Sequence, residues 1–330
     1  MGSYEKKTII AIIDSGIAKD VPFAKKIIGG IAFYIKANNL YCSDNIVDEC
    51  GHGTKCASII DKYASNAMLY IIKIVDKTSK CSSILLLEAL KHLLFVDVSI
   101  INISLSVSNS CNTTDISAIL KKLRLQEKII LASVKNRENM SFPANNNNVI
   151  GVKGKLMVNN TYNYDYTRII EVVANATPIF TLSLRKRYEW FGGNSKATAL
   201  MSAEIANYFN KEIDLDGNRV SRYLQQYSCD LFENNLNMCG IVLTKKEKSL
   251  LKILKPIFSK YANEIDSGGE FVYKKMDFNL EYTYELMLEC EKKLGVKINM
   301  QELAVKDFYS FENLAHYIYM TTVSKVEGEK

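Results

Sequence analysis

Long apolar runs are missing from this 330-residue sequence. No stretch approaches the roughly 20 apolar residues that cross a bilayer, and no charged, apolar and small-residue series marks a signal peptide at the start. Cysteine occurs eight times, at 42, 50, 56, 81, 111, 229, 239 and 290. None has C-x-x-C spacing, so neither a disulfide framework nor a zinc site is read, and reduced thiols in a cytoplasmic protein are expected. A net charge of +6 is too mild to argue for nucleic acid. Histidine is scarce as well. With three in the chain, any imidazole chemistry rests on His52, His92 or His316. What is present is an ordinary globular composition, 48% hydrophobic and 24% charged, with room for one large domain and a small second one.

Thr8 to Ile13 is a β-branched apolar run closed by Asp14-Ser15-Gly16, which reads as a buried strand ending in a turn. A carboxylate at the C-terminal end of such a strand stands where open α/β sheets collect their chemistry, although Asp also forms turns. A second apolar stretch, 27–35, leads through a polar loop to Gly51-His52-Gly53-Thr54 and a helical segment over 55–63. His52 between two glycines has a backbone free for close approach, whereas His92 falls on the apolar face of a helix and His316 on a surface-type helix. Strands at 67–74, 98–104 and 128–133 alternate with helices at 83–95 and 114–125, which predicts an α/β fold with a parallel sheet covered on both faces. Ser104-Leu105-Ser106 and Asn136 follow two of these strands. Asn136 supplies an amide to an oxyanion or caps a loop. Gly192-Gly193-Asn194-Ser195 then opens a buried helix through about Asn207. A serine there is either an N-cap or a nucleophile backed by the positive end of the helix dipole.

Taken in order, Ile12-Ile13-Asp14-Ser15-Gly16, Gly51-His52-Gly53-Thr54 and Gly193-Asn194-Ser195-Lys196-Ala197 resemble the aspartate, histidine and serine motifs of the subtilisin-like serine proteases, the subtilases. The resemblance covers about residues 7–245. It implies a Ser-His-Asp triad of Asp14, His52 and Ser195, an oxyanion hole at Asn136, and a substrate groove lined by Ser104, Leu105, Ser106 and Ser133. Departures stand out at two places: Asn194, Lys196 and Ala199 replace the usual Thr, Met and Pro around the serine, and Val134-Lys135 replaces Ala-Gly before the asparagine. The basic, aromatic segment 185–190 just before the serine turn is either a solvated hairpin or a contact for an acidic substrate segment. No propeptide is read ahead of the first strand, and no acidic loop is clear enough to name calcium ligands.

From about residue 245 the strand-helix alternation gives way to charged helical periodicity at 249–262, 282–294 and 311–320, with a short piece at 300–305, so a domain boundary is expected between 245 and 246. Thr283 to Glu289 and Lys293 to Ile298 resemble the second helix and following turn of an acyl carrier protein, which implies a small all-α, four-helix C-terminal domain. Leu280 stands where that family carries its phosphopantetheine serine, and Ser267, the nearest serine, comes too early, so no prosthetic arm and no other cofactor are expected. The combined resemblance implies an intracellular serine endopeptidase of narrow specificity, with leader-peptide removal during maturation of a ribosomal peptide product as one setting. Its expected partners are a peptide or precursor-protein substrate and a protein docking on the helical domain, with no nucleic acid and no membrane. The alternative is a catalytically inactive subtilase-fold protein that binds a peptide or a partner.

Overall fold

The computed structural model describes residues 7–78, 81–107, 112–157, 159–210, 217–229, 240–262 and 280–327. The first unit opens with β1 (Ile9–Asp14), β2 (Ile27–Lys36) and β3 (Asn39–Ser43), then α1 (His52–Tyr63), β4 (Met68–Lys73), α2 (Ser83–His92), β5 (Ile100–Ile103), α3 (Thr113–Leu125) and β6 (Ile129–Ser133). It continues through β7 (Ile150–Lys155), β8 (Tyr162–Tyr164) and β9 (Val172–Asn175). After β10 (Ile179–Leu182) and β11 (Tyr188–Phe191) come α4 (Gly193–Phe209) and α5 (Gly217–Gln226).

Nine strands form one sheet in the order β3-β2-β4-β1-β5-β6-β7-β9-β8, parallel from β2 to β9 and antiparallel only at its two outer pairs. The central strands are apolar on both faces because both faces are covered. Side chains alternate across a strand, so Ala11 and Ile13 of β1 join the core made with α2 and α3. Ile10 and Ile12 are equally buried and point the other way, where α4 packs along the strands and against α1. All parallel strands end at one edge of the sheet. That edge carries Asp14, Ser104 and the segment from Ser133 to Asn136.

β3 and β7 to β9 have no counterpart in the sequence reading. β7 reads Ile-Gly-Val-Lys-Gly-Lys and β3 is exposed along most of its length, so neither carries the apolar run that marks a buried strand. Helix α1 starts three residues earlier than its periodicity suggests, at His52 itself. Of the eight cysteines, Cys42, Cys50, Cys56, Cys81, Cys229 and Cys290 are free thiols, while Cys111 and Cys239 lie outside the described residues. Among those residues no helix is long and apolar enough to cross a membrane.

The second unit contains α6 (Lys245–Lys260), α7 (Thr283–Leu294) and α8 (Phe311–Glu327), joined by 3₁₀ turns at Met300–Glu302 and Val305–Phe308. The sequence division at 245 follows composition, and the contacts cut the chain differently. Pro178–Thr181 and Arg187–Phe191 cluster with Leu236–Lys330, while Leu182–Lys186 and Gly192–Asn235 stay with the first unit. The second unit is therefore not all-α, because the paired strands β10 and β11 contribute to its core. The reason is visible in their pattern. Phe180, Tyr188 and Trp190 form an aromatic face whose rings lie 5.3–5.9 Å apart, and such a face needs apolar cover. Trp190 meets Phe308 edge-on at 5.4 Å, and its indole N–H donates to Thr283 Oγ1 at 2.9 Å. The reading of 185–190 as a solvated hairpin thus fails for Tyr188 and Trp190. Ser267 and its neighbours, with Phe278 and Asn279, lie outside the described residues.

Trp190 is the one tryptophan in the chain, so its emission reports the second unit. Phe258 is fully buried in the same core. Phe258→Ala is expected to cost about 3–5 kcal/mol there and to lower the urea midpoint of the Trp190 fluorescence transition. An unmoved midpoint would show that Trp190 and the helices do not unfold together.

Candidate active site

Asp14 ends β1 with its side chain 3% exposed. A buried carboxylate is costly unless donors surround it, and three do. Its Oδ1 accepts from the Ser15 N–H at 2.7 Å, and the His52 imidazole donates from Nδ1 at 2.8 Å to Oδ1, with Oδ2 at 2.9 Å. The Cys56 thiol donates to Oδ2 at 3.6 Å. The strand end is pinned in turn, because the Asp14 carbonyl accepts from the N–H groups of Ile74 and Val75.

His52 owes its position to the start of α1. Gly51 holds a left-handed φ of 86°, and the Asp48 carboxylate accepts from the N–H groups of Cys50, Gly51 and Thr54 and from the Thr54 hydroxyl at 2.6 Å. Burial pushes the Asp48 carboxyl up, but those hydrogen bonds outweigh it and leave its pKa below the ordinary value. Gly53 lets the helix approach β1. A Cβ there would lie 2.4 Å from the Gly16 carbonyl oxygen and 3.2 Å from Asp14 Cβ.

The His52 ring is about one-third exposed. Burial opposes its charge, yet attraction to the Asp14 carboxylate raises its pKa well above the ordinary imidazole value. Cys56 follows His52 by one helical turn, the spacing that puts two side chains on one helix face. Its thiol is pushed up first by burial and then by Asp14, and it counts the Ser104 hydroxyl among its partners. Asp14, His52 and Cys56 present donor atoms within 4.8 Å of one another. The Asp14 and His52 atoms in that group are already bonded to each other, so a soft cation would compete with that bond.

On the other side of Cys56, Ser104 and Ser195 exchange contacts. The Ser195 hydroxyl donates to the Ser104 carbonyl at 3.3 Å, and the Ser104 hydroxyl approaches the Ser195 carbonyl at 3.5 Å. The thiol and Ser104 thus link the Asp14–His52 pair to Ser195. Gly193, at φ 77°, sits where a Cβ would meet Asn136 Oδ1 at 3.3 Å, and that oxygen accepts the Asn194 N–H at 3.4 Å. Its Nδ2 donors engage no partner among the described residues. Of the remaining residues expected in a groove, Leu105 and Ser106 are half-buried, whereas Ser133, at 4% exposure, is packed into the end of β6.

The departures near the serine have structural work. Asn194 accepts the Gly154 N–H at 2.7 Å and donates to the Val134 carbonyl at 2.7 Å, tying the serine turn to β7 and to the end of β6. Val134 is buried, while Lys135 stands 62% exposed and pairs with Glu138 at 2.6 Å, so neither crowds the turn. Asp48, Cys56, Asn194 and Lys196 were not singled out as site residues from sequence. Only Cys56 had a readable signal, its four-residue offset from His52.

Lys196 is fully buried, with its Nζ on the Asn175 carbonyl at 2.9 Å. Burial, reinforced by the charge of Lys62, pulls its pKa down to about 7. The unfolded chain then holds a proton that the folded chain lacks between about pH 7 and the ordinary lysine value near 10.4. Stability therefore rises with pH across that window through this group, and the burden on folding is greatest below it. Lys196→Met should stabilise the first unit most at pH 6, by about 1–4 kcal/mol, with the gain shrinking toward pH 10. Denaturant titrations at the two pH values check this, and an equal gain at both would refute it.

Comparison with known proteins bears on the family and the fold. None of the curated protein sequences matches the chain. A solved structure named "S41 Psychrophilic Protease" shares the fold, with a TM-score of 0.55 over 67% of this chain and 83% of that one, at 19% identity. The model of the subtilase family matches residues 5–240. With more than half its length matched, the chain belongs to the subtilase family, Peptidase S8.

Proposed function

We propose that this subtilase is a serine endopeptidase in which Ser195 attacks the peptide carbonyl, His52 takes its proton and later delivers it to the leaving amine, and Asp14 orients His52 and stabilises its charged form. The observation that carries the reading is the 2.8 Å bond from His52 Nδ1 to a carboxylate 3% exposed. That bond fixes the tautomer, so that Nε2 carries the lone pair a general base needs. The Asn136 amide and the Ser195 N–H at the start of α4 are the proposed oxyanion donors. The chemistry needs no cofactor.

The C-terminal unit we read as a carrier-protein-like docking module without a prosthetic arm, since Leu280 stands at the serine position of that family. Narrow, intracellular processing of a precursor peptide, including leader removal, follows from a protease that carries such a module. The second reading, an inactive peptide-binding protein, draws on the Ser195 hydroxyl, which donates to the Ser104 carbonyl.

A fluorophosphonate probe separates the two. One adduct on Ser195, absent from Ser195→Ala and strongly slowed in His52→Ala, is expected; no adduct on the folded protein would put the binding reading first. Because a general base works only when neutral, the raised His52 pKa places the acid limb of the labelling rate above the ordinary value of 6.5. Asp14→Asn should shift that limb to lower pH. Asn136→Ala should lower kcat by about 10²–10³ with little change in KM, and a loss under threefold would remove Asn136 from the oxyanion hole.

A further inference from the structure

Next to the His52 turn lies a hollow of about 360 Å³ within the first unit. Its apolar floor includes Val21 and Leu182, which are 5% and 6% exposed. Three segments wall it: the turn after β1, residues 47–49 ahead of α1, and the stretch 182–186. The last is held against the catalytic helix start, because a Cβ on Gly51 would fall 2.8 Å from Ser183 Oγ and 3.3 Å from Leu184 Cγ.

Lys19, Arg185 and Lys186 line this hollow, are exposed, and have no hydrogen bond or ion pair among the described residues. The acids of the same wall are mostly engaged. Asp48 is saturated by the N–H and O–H donors described above, and Glu49 pairs with Lys73 at 2.8 Å. Asp20 alone stands without such a partner among the described residues, so three free cations face one free carboxylate.

The backbone fixes where two of these cations stand. Arg185 and Lys186 both hold φ at 56°. Two successive left-handed residues are the geometry of a tight hairpin turn, here between the paired strands β10 and β11, as at Ala37 and Asn38 between β2 and β3. Glycine or asparagine would fill this turn with less strain, yet both positions carry long cations.

We propose that this hollow is a subsite for an acidic side chain of the peptide substrate, a glutamate or aspartate close to the scissile bond, with Lys19, Arg185 and Lys186 as specificity-determining residues. The proposal rests on the endopeptidase reading for its place in catalysis. A guanidinium and two ammonium groups around an apolar-floored hollow recognise a carboxylate through charge-assisted hydrogen bonds, and the open setting makes the attraction sensitive to salt.

The test uses the full chain carrying Ser195→Ala and two fluorescein-labelled octapeptides that differ only in Glu versus Gln at alternate positions. Fluorescence anisotropy should show the Glu peptide binding roughly tenfold more tightly at low salt. The preference should vanish at high salt and in the triple variant Lys19→Gln, Arg185→Asn, Lys186→Asn, whose asparagines accept the left-handed backbone. Asp20→Asn, which removes the competing carboxylate, should widen the preference. Equal affinity for the two peptides, or a preference that survives the triple substitution, overturns the subsite. In wild-type digests of the same peptides, Ser195-dependent cleavage indifferent to Glu overturns the subsite and leaves the peptidase standing. A Glu preference in binding with no Ser195-dependent cleavage supports the acidic site and sinks the peptidase reading.

Discussion

The hydrogen bond between His52 and Asp14 is the interaction to which the first unit is built. A carboxylate at 2% exposure is stable only when its lone pairs are filled, and the donors that fill them come from three directions: the next residue of the chain, the first residue of α1 and a thiol one turn further along that helix. Each fixes something else. The Ser15 N–H sets the turn after β1, and the Ser15 hydroxyl accepts the Gly53 N–H at 2.9 Å, so the strand end and the helix start are bonded twice. Asp48 then closes the other side of the helix start. A carboxylate with lowered pKa at that position also favours the dipole of α1, which leaves the imidazole, rather than the backbone, as the movable part.

The serine turn follows the same logic with different residues. Its glycine is required by a left-handed φ and by the approach of Asn136; its asparagine replaces part of the missing motif by bonding two strands at once. Ser202 and Asn102 extend the arrangement inward, since Ser202 donates to Asn102 Oδ1 at 3.0 Å and Asn102 donates to Ser104 Oγ at 3.0 Å. Polar groups buried between α4 and β5 are thereby satisfied in series. The carbonyl that accepts the Ser195 hydroxyl belongs to the last residue of this series, so the Ser195 rotamer is tied to the register of the helix on the sheet.

Much of this was legible in the sequence because the decisive signals are local. A β-branched run before Asp14, glycines on both sides of His52 and a small-residue helix after Ser195 each mark a backbone geometry, and their order along the chain gave the family resemblance. The interactions that were not legible join residues far apart in sequence. Lys196 lies on a helix read as buried, but nothing near it in sequence says that the Asn175 carbonyl takes its Nζ, and Asn194 looks like a cap until Gly154 and Val134 are beside it. The strands β7 to β9 were hidden for two reasons: lysines and glycines interrupt β7, and β8 and β9 span only three and four residues. The clearest failure was the segment before the serine turn. Its basic residues suggested a solvated hairpin or a contact for an acidic substrate segment, while the period-two alternation of Tyr188 and Trp190 around Glu189 was the sign of a strand with one apolar face.

That aromatic strand bears on how the chain folds. Phe180, Tyr188 and Trp190 stand in the sequence before Ser195, but their cover comes from residues as distant as Phe308 and Ile318. Contacts of such sequence separation form late, because the intervening chain must first lose its freedom. Until the C-terminal helices collapse, β11 lacks the packing that orders it, and β11 ends one residue before Gly192 and the turn that presents Ser195. The C-terminal unit cannot be a detachable appendage on this account, since part of its core is encoded inside the family-matched region, which extends from 5 to 240.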